Sequence, residues 1–368
     1  MSSSPDPVQA VSQRLDMFLS DQRRATADFG DEAGLLINAG AAALSGGKRL
    51  RGRFCIAGWE AVTEAAAPST SVDSEAPGEV LAAAAALETF HAAALVHDDV
   101  IDNSDTRRGR PAAHRALEAS HRNAGWQGDA AAFGRSGAIL LGDLLVAWSD
   151  DLLEEGLALT DADRAAAARA EYATMRREVT IGQFLDIAEE SAYRSEPDER
   201  HAERALRVAS LKSARYSIQQ PLAIGAALAG ADAAQATALA AFGHPLGMAF
   251  QLRDDVLGVF GDEIETGKPS GDDLREGKRT VLIAYAREAM PLPARRIVDE
   301  LIGDPTLDAG QVASLQQIIV DTGALSRVET LIADYAREAE RSLSGARLGN
   351  HAVGRLRDLA QASTVRTT

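Results

Sequence analysis

Two stretches of this chain end an apolar helical run on a pair of carboxylates. They are Leu95-Val96-His97-Asp98-Asp99-Val100-Ile101-Asp102 and, far downstream, Phe250-Gln251-Leu252-Arg253-Asp254-Asp255-Val256-Leu257. An ordinary core does not tolerate such pairs, because burying an unpaired carboxylate costs several kcal/mol or more. The fold must therefore give each pair a polar cavity or a compensating charge. In Asp98-Asp99-x-x-Asp102 the outer acids lie one helical turn apart and face the same way. Oxygen ligands so spaced suit Mg2+, which takes one or two carboxylates and fills its shell with water and phosphate. Acid pairs are also common on solvated helix faces, and this chain has others in Asp150-Asp151 and Asp272-Asp273. The two clusters differ in following apolar runs and in standing near cations: Arg107, Arg108 and Arg110 after the first, Lys268 and Lys278 after the second. Acids to hold metal with cations to hold phosphate oxygens is the composition a diphosphate site requires.

Strand signals are scarce and helical periodicity runs throughout. It predicts helices over roughly 8–28, 31–44, 49–66, 78–102, 136–155, 161–190, 200–230, 232–261, 278–290, 294–303, 310–321, 324–346 and 350–362. The Ser-, Pro- and acid-rich stretch 68–78 reads as a surface loop. The glycine-rich stretch 122–137 reads as another, either a mobile lid or an insertion. Pro245 falls inside the helix that delivers Asp254, so that helix is either kinked at Gly243-His244-Pro245 or begins there. No repeat and no linker marks a boundary. The expectation is one all-α domain over 1–368, a bundle with a central cavity, with 1–30 and 345–368 peripheral.

Hydrophobic residues make up 46% of the 368, enough for a sizeable core, and only 5% are aromatic, so alanine does much of the packing. A net charge of −16 argues against a nucleic-acid partner, which needs a basic face. It would also repel a diphosphate, so local cations and metal must reverse the sign at the site. Cys55 is the only cysteine, which excludes an intrachain disulfide and makes a reducing cytoplasm the simplest compartment. The start of the chain reads as no signal peptide, and no transmembrane helix is expected.

Further stretches follow in a fixed order: Gly46-Gly47-Lys48-Arg49-Leu50-Arg51, Glu88-Thr89-Phe90-His91, Thr106-Arg107-Arg108-Gly109-Arg110-Pro111, Leu141-Gly142-Asp143, Gly182-Gln183-Phe184-Leu185-Asp186 and Lys212-Ser213-Ala214. With the two acidic clusters, these resemble the trans-isoprenyl diphosphate synthases, the polyprenyl synthetase family, and within it the geranylgeranyl diphosphate synthases. The resemblance runs from Gly46 to about Thr280. It implies an isoprenoid-synthase bundle, usually a homodimer. The implied reaction ionises an allylic diphosphate and attacks the cation with the double bond of isopentenyl diphosphate. Proton loss then leaves a product one isoprene unit longer.

By resemblance, Asp98 and Asp102 ligate Mg2+ on one side of the allylic diphosphate and Asp254 on the other, with three ions when substrate is bound. Asp99 and Asp255 support them from behind. Arg107, Lys212 and Lys268 contact the allylic diphosphate, with Lys278 near that end. Lys48, Arg51, His91 and Arg108 hold isopentenyl diphosphate without metal. Gln183, Gln251 and Ser213 sit near the reacting carbons, and the departing diphosphate serves as base. The chain departs from the family pattern at Gly258, where most relatives carry an acid; Asp262 lies a turn further on. Gly52 replaces a usual proline, Ser213 a threonine and Ala112 a threonine.

Two other functions stay open at this level. A class I terpene cyclase shares the first acidic motif but usually carries an Asn/Asp-Ser/Thr-Glu second motif. A non-catalytic subunit of a heteromeric synthase need not retain the ligands that this chain keeps. For product length, the helix bearing Asp98 is the expected ruler. Ala93 and Ala94 leave one level open and Phe90 is the candidate floor. At about 5.4 Å per turn, roughly one isoprene unit, that points to about twenty carbons, with about twenty-five as the next stop.

Overall fold

The computed structural model describes residues 6–66, 75–262 and 270–364. Lys268 and most of the expected 68–78 loop lie outside them. The helices are α1 (Pro7–Ala25), α2 (Asp31–Leu44), α3 (Leu50–Ala66), α4 (Gly78–Ile101), α5 (Ala113–Asn123), α6 (Ala130–Leu157), α7 (Ala162–Ala192), α8 (His201–Val208), α9 (Gln220–Ala229) and α10 (Ala233–Phe260). After these come α11 (Asp272–Glu276), α12 (Val281–Ala289), α13 (Leu292–Leu301), α14 (Ala309–Asp321), α15 (Ala324–Ser342) and α16 (Asn350–Thr364). Strand among the described residues is confined to one hairpin, β1 (Thr106–Arg107) against β2 (Arg110–Pro111).

The chain divides into two compact units. The first comprises Met1–Arg169 with Ile224–Gly230, and the second Ala170–Ala223 with Ala231–Thr368. In the first, α4 is the axis: Val80, Ala82 to Leu87, Ala92, Ala93 and Val96 are buried, and α1, α3 and α6 pack around it. Alanine at most of these positions lets the neighbouring backbones approach closely. In the second, α10 is buried at Leu252, Val256 and Val259. It shares a core with Leu274, Leu282, Val298, Val312, Leu315, Val328 and Ile332, which is what the motif-poor C-terminal third contributes.

Several expectations need correcting. The loop expected over 122–137 is confined to 124–129, where Gly125 and Gly128 take positive φ; α6 begins at Ala130, capped by Asp129, whose Oδ1 accepts from the amides of Ala131 at 2.9 Å and Ala132 at 3.2 Å. Gly134 misled because it is a packing site where the carbonyl of His114 fills the space of a side chain. Helix α5 was missed altogether. The helix carrying Pro245 neither begins there nor stops there; it runs unbroken from the Asp232 cap to Phe260.

The 200–230 helix is not uniform, because Ala209–Gln219 is wound as a π-helix between α8 and α9. The terminal segments are not merely peripheral: α1 buries Val11, Leu15 and Phe18, and α16 buries Ala352, Leu356 and Leu359. By length and composition alone α4 and α6 are long and apolar enough to cross a bilayer, a test that buried core helices also pass. Alanine raises their hydropathy although acids interrupt them. In α4 most of the apolar stretch is buried inside the protein, whereas in α6 only 28% of it is.

Candidate active site

In the first unit the end of α4 carries the leading acidic cluster. Asp102 caps the helix, its amide donating to the carbonyl of Asp98 at 2.8 Å, so the two acids stack one turn apart on one face. Asp99 is on the neighbouring face and only 3% exposed. Its charge is met by the hairpin: Arg107 donates through Nε to Asp99 Oδ1 at 2.8 Å and through Nη2 to the same oxygen. The same Nη2 reaches Asp98 Oδ2 at 3.4 Å. Arg107 thus clamps the acids themselves, rather than standing apart to await a diphosphate.

The hairpin turn is made by Arg108 and Gly109, both at positive φ (53° and 70°), the geometry a two-residue turn between twisted strands requires. Glycine adopts it freely, but an arginine there is strained by about 1–3 kcal/mol. Surrounding contacts hold it in place. The guanidinium of Arg108 lies against Gly47, and buried Glu88 opposes its charge. Glu88 in turn accepts the amide of Gly52 at 2.9 Å. That bond explains the departure at position 52, because proline has no amide hydrogen to give. Nothing in the sequence around Glu88 marks this role.

Around this point stand the residues expected to bind isopentenyl diphosphate. Lys48 is exposed, Arg51 is buried and His91 is half-buried. Burial, then the fields of Arg51, Arg108, Arg107 and Arg49, holds the His91 imidazole far below its usual pKa. It is therefore neutral near pH 7 and acts as a hydrogen-bonding group, not a fourth cation. Arg49, also at positive φ, is structural: its Nη2 donates to the carbonyl of Leu44 at 2.7 Å. Along the α4 stripe that ends at Asp98, Ala94 is half-buried one turn back and Phe90 is buried a further turn back. Ala93 is buried off that stripe.

In the second unit the π-helix presents Lys212 and Ser213. Lys212 Nζ donates to Asp186 Oδ2 at 2.5 Å, linking this segment to the Gln183–Asp186 turn of α7. Gly182 permits the approach, since a Cβ there would overlap the backbone of Lys212. Short π segments are frequent at functional sites, and this one had no sequence signal that periodicity could detect. On α10, Gln251 donates through Nε2 to Asp255 Oδ1 at 2.7 Å, so its amide is committed to the acid cluster as well as to any substrate role. Asp255 is 7% exposed, and burial together with the carboxylates of Asp273, Asp254 and Asp186 pushes its pKa up to about 8. Lys278 sits 2.6 Å from Glu276 Oε2 and 3.6 Å from Asp273 Oδ1.

The donor set fits Mg2+. All candidate ligands are hard carboxylate oxygens; burial first, and then the neighbouring carboxylates, raise the pKa of Asp255, an environment in which a cation would favour the ionised form. Among the described residues no three acids or histidines stand close enough to hold an ion by themselves. That suits a cation which keeps several ligands from water and phosphate.

An almost wholly helical fold, a cluster of cations and acid pairs on two core helices are the features of a trans-prenyltransferase. The polyprenyl synthetase family model matches residues 35–319, and the chain belongs to that family. It is 33% identical over 274 residues to the geranylfarnesyl diphosphate synthase of Aeropyrum pernix, covering 73% of this chain and 77% of that one. It is 31% identical over 300 residues to the geranylfarnesyl diphosphate synthase of Natronomonas pharaonis, covering 80% and 76%. Among solved structures, the geranylgeranyl pyrophosphate synthase of Corynebacterium glutamicum, complexed with isoprenyl diphosphate and magnesium, superposes with a TM-score of 0.87. That match has 38% identity and covers 98% of both chains.

Proposed function

We propose that this prenyltransferase condenses isopentenyl diphosphate with an allylic diphosphate, Mg2+-dependently, and stops at geranylgeranyl diphosphate or one unit beyond. The observation that carries the reading is the Arg108 turn. A strained Arg108 opposed by Glu88, a neutral His91, buried Arg51 and exposed Lys48 all lie in the same unit as the Asp98–Asp102 face. Cations that bind one diphosphate without metal, together with acids that bind another through it, are what two-diphosphate chemistry demands.

In this reading Lys48, Arg51 and Arg108 bind the isopentenyl diphosphate, and His91 donates a hydrogen bond to it. Asp98 and Asp102 in the first unit and Asp254 in the second hold the metal, three ions with substrate bound. When bound, that metal neutralises the charge developing on the leaving diphosphate. Arg107 and Lys212 leave their carboxylate partners to meet phosphate oxygens, and Lys268 and Lys278 add charge at the same end. Gln183, Gln251 and Ser213 turn amide and hydroxyl oxygens toward the allylic cation. These stabilise it without capturing it as a strong nucleophile would. Alanine and leucine side chains along α4 exclude water from it.

The half-buried Ala94 and the buried Phe90 support an endpoint near twenty carbons at roughly one isoprene unit per turn. The named relatives make C20 and C25 products, which supports the same range. The whole of 1–368 acts as one catalytic domain. The protein works as a cytoplasmic homodimer, a state supported by α6, whose Ile139 and Leu140 are 47% and 60% exposed. Incubating purified protein with isopentenyl diphosphate, farnesyl diphosphate and Mg2+ tests the reading. Elongated diphosphates are expected; cyclic hydrocarbons, or no turnover, would overturn it.

A further inference from the structure

Gly258 lies one turn after Asp254 and Asp255 on α10, and its missing side chain is not empty space. An ideal Cβ at Gly258 would overlap Oδ2 and Cγ of Asp273 and stand 2.9 Å from Oδ1. The carboxylate of Asp273 therefore occupies the volume that a side chain at position 258 would fill. It arrives there from α11, a different element of the same unit.

The placement is built in. Leu274, the next residue, is fully buried, and its carbonyl accepts the amide of Gly303 at 2.8 Å. Gly271 and Gly277, both at positive φ, bracket the short helix. The carbonyl of Asp273 accepts the amides of Gly277 and Lys278, each at 3.1 Å. Arg275 donates to the carbonyl of Leu307 at 3.2 Å, fixing the opposite face. Held this way, Asp273 is the foremost charged neighbour of Asp255, ahead of Asp254. Asp262, the other acid near the end of α10, is exposed beyond the helix terminus.

We propose that Asp273, reaching over Gly258, supplies the third carboxylate of the Asp254–Asp255 cluster and so positions the metal that Asp254 holds. Asp262 does not. Gly258 is what permits this: any side chain there displaces the carboxylate. Lys278, 3.6 Å from Asp273 Oδ1, restrains it from the far side.

The inference rests on the metal-dependent prenyltransferase reading, and wild-type turnover tests that reading separately. The discriminating measurement is calorimetric titration of the full-length protein with Mg2+ in the presence of inorganic pyrophosphate, with melting curves to verify folding. Asp273→Asn is expected to weaken Mg2+ binding about 10-fold, the usual loss when an outer partner of a metal site is removed. Asp272→Asn and Asp262→Asn leave it unchanged. Gly258→Ala, which keeps the acid but evicts it, weakens binding in the same direction and serves even if Asp273→Asn fails to fold. The decisive variant combines Gly258→Asp with Asp273→Ala, which vacates that volume and returns a carboxylate to it by the shorter route. Recovery of Mg2+ affinity is expected. Unchanged affinity in Asp273→Asn, a larger loss in Asp262→Asn, or no recovery in the double variant would overturn the assignment.

Discussion

The backbone amide of Gly52 donates to Oε1 of Glu88 across 2.9 Å, tying the start of α3 to the middle of α4 beneath the Arg108 turn. Glu88 is buried, so its second task is to oppose the charge of Arg108. Gly52→Pro removes the donor and leaves a buried carboxylate short of a partner. It should destabilise the protein by about 1–3 kcal/mol, read from denaturant unfolding. Glu88→Gln keeps an acceptor for Gly52 but removes the charge, so it should raise the KM for isopentenyl diphosphate more than it lowers stability. Equal effects on both substrates would show that Glu88 does not act through Arg108.

Asp98→Ala and Asp254→Ala should each cut turnover severely while leaving helical content intact, since neither side chain packs in a core cluster. Lys48→Ala should instead raise the KM for isopentenyl diphosphate with little change in kcat, as expected when a uniformly bound contact is lost. Steady-state kinetics with each substrate varied in turn checks all three. Near-normal turnover in both aspartate variants would remove them from the metal site.

Product length should respond to α4. Ala94→Phe fills the half-buried level one turn before Asp98 and should shorten the product. Phe90→Ala opens the buried level behind it and should lengthen it. Chromatography of dephosphorylated products reads both. Identical product lengths in the two variants would place the ruler on another helix.

The helical class, the family and the positions of the two acidic clusters were legible in the sequence, because helical periodicity and motif spacing are local properties. Relationships between distant segments were not. Nothing within a few residues of Gly258 reveals that Asp273 fills its volume, and Asp272-Asp273 reads as ordinary surface charge. The π-helix at Lys212 escaped for the same reason, since its wider turn leaves a pattern that still scans as helix. Within 122–137, Gly125 and Gly128 make the turn but Gly134 sits inside α6, and a glycine that admits a neighbour's backbone looks identical, in sequence, to one that makes a turn.

His244, on α10, is hydrogen-bonded to Ser210 Oγ at 2.9 Å. Burial, and then Arg215, lowers its pKa below the usual value. A group depressed on folding contributes stability above its unfolded pKa of about 6.5 and loses it as pH falls through its folded value. Thermal melts of wild type should therefore decline from about pH 6.5 downward, and His244→Gln should lessen that decline. An identical acid-side slope in the variant would assign the loss elsewhere.

Cys55 is fully buried, and burial pushes its thiol pKa up to about 12. It should resist maleimide labelling in the native protein and react only on unfolding, which makes it a built-in reporter of global opening. Rapid native labelling, followed by mass spectrometry, would contradict that burial.

The clamp of Arg107 on Asp98 and Asp99 means that the first acidic face carries its own counterion. On the proposed reading, binding at this face would be an exchange of partners, in which Arg107 would pass from carboxylate to phosphate while Asp98 would hold the metal. An acidic chain of net charge −16 can in this way receive a polyanion without a long-range attractive field. Neutralising Arg107 should therefore both weaken the hold on the allylic diphosphate and leave Asp99 without its counterion.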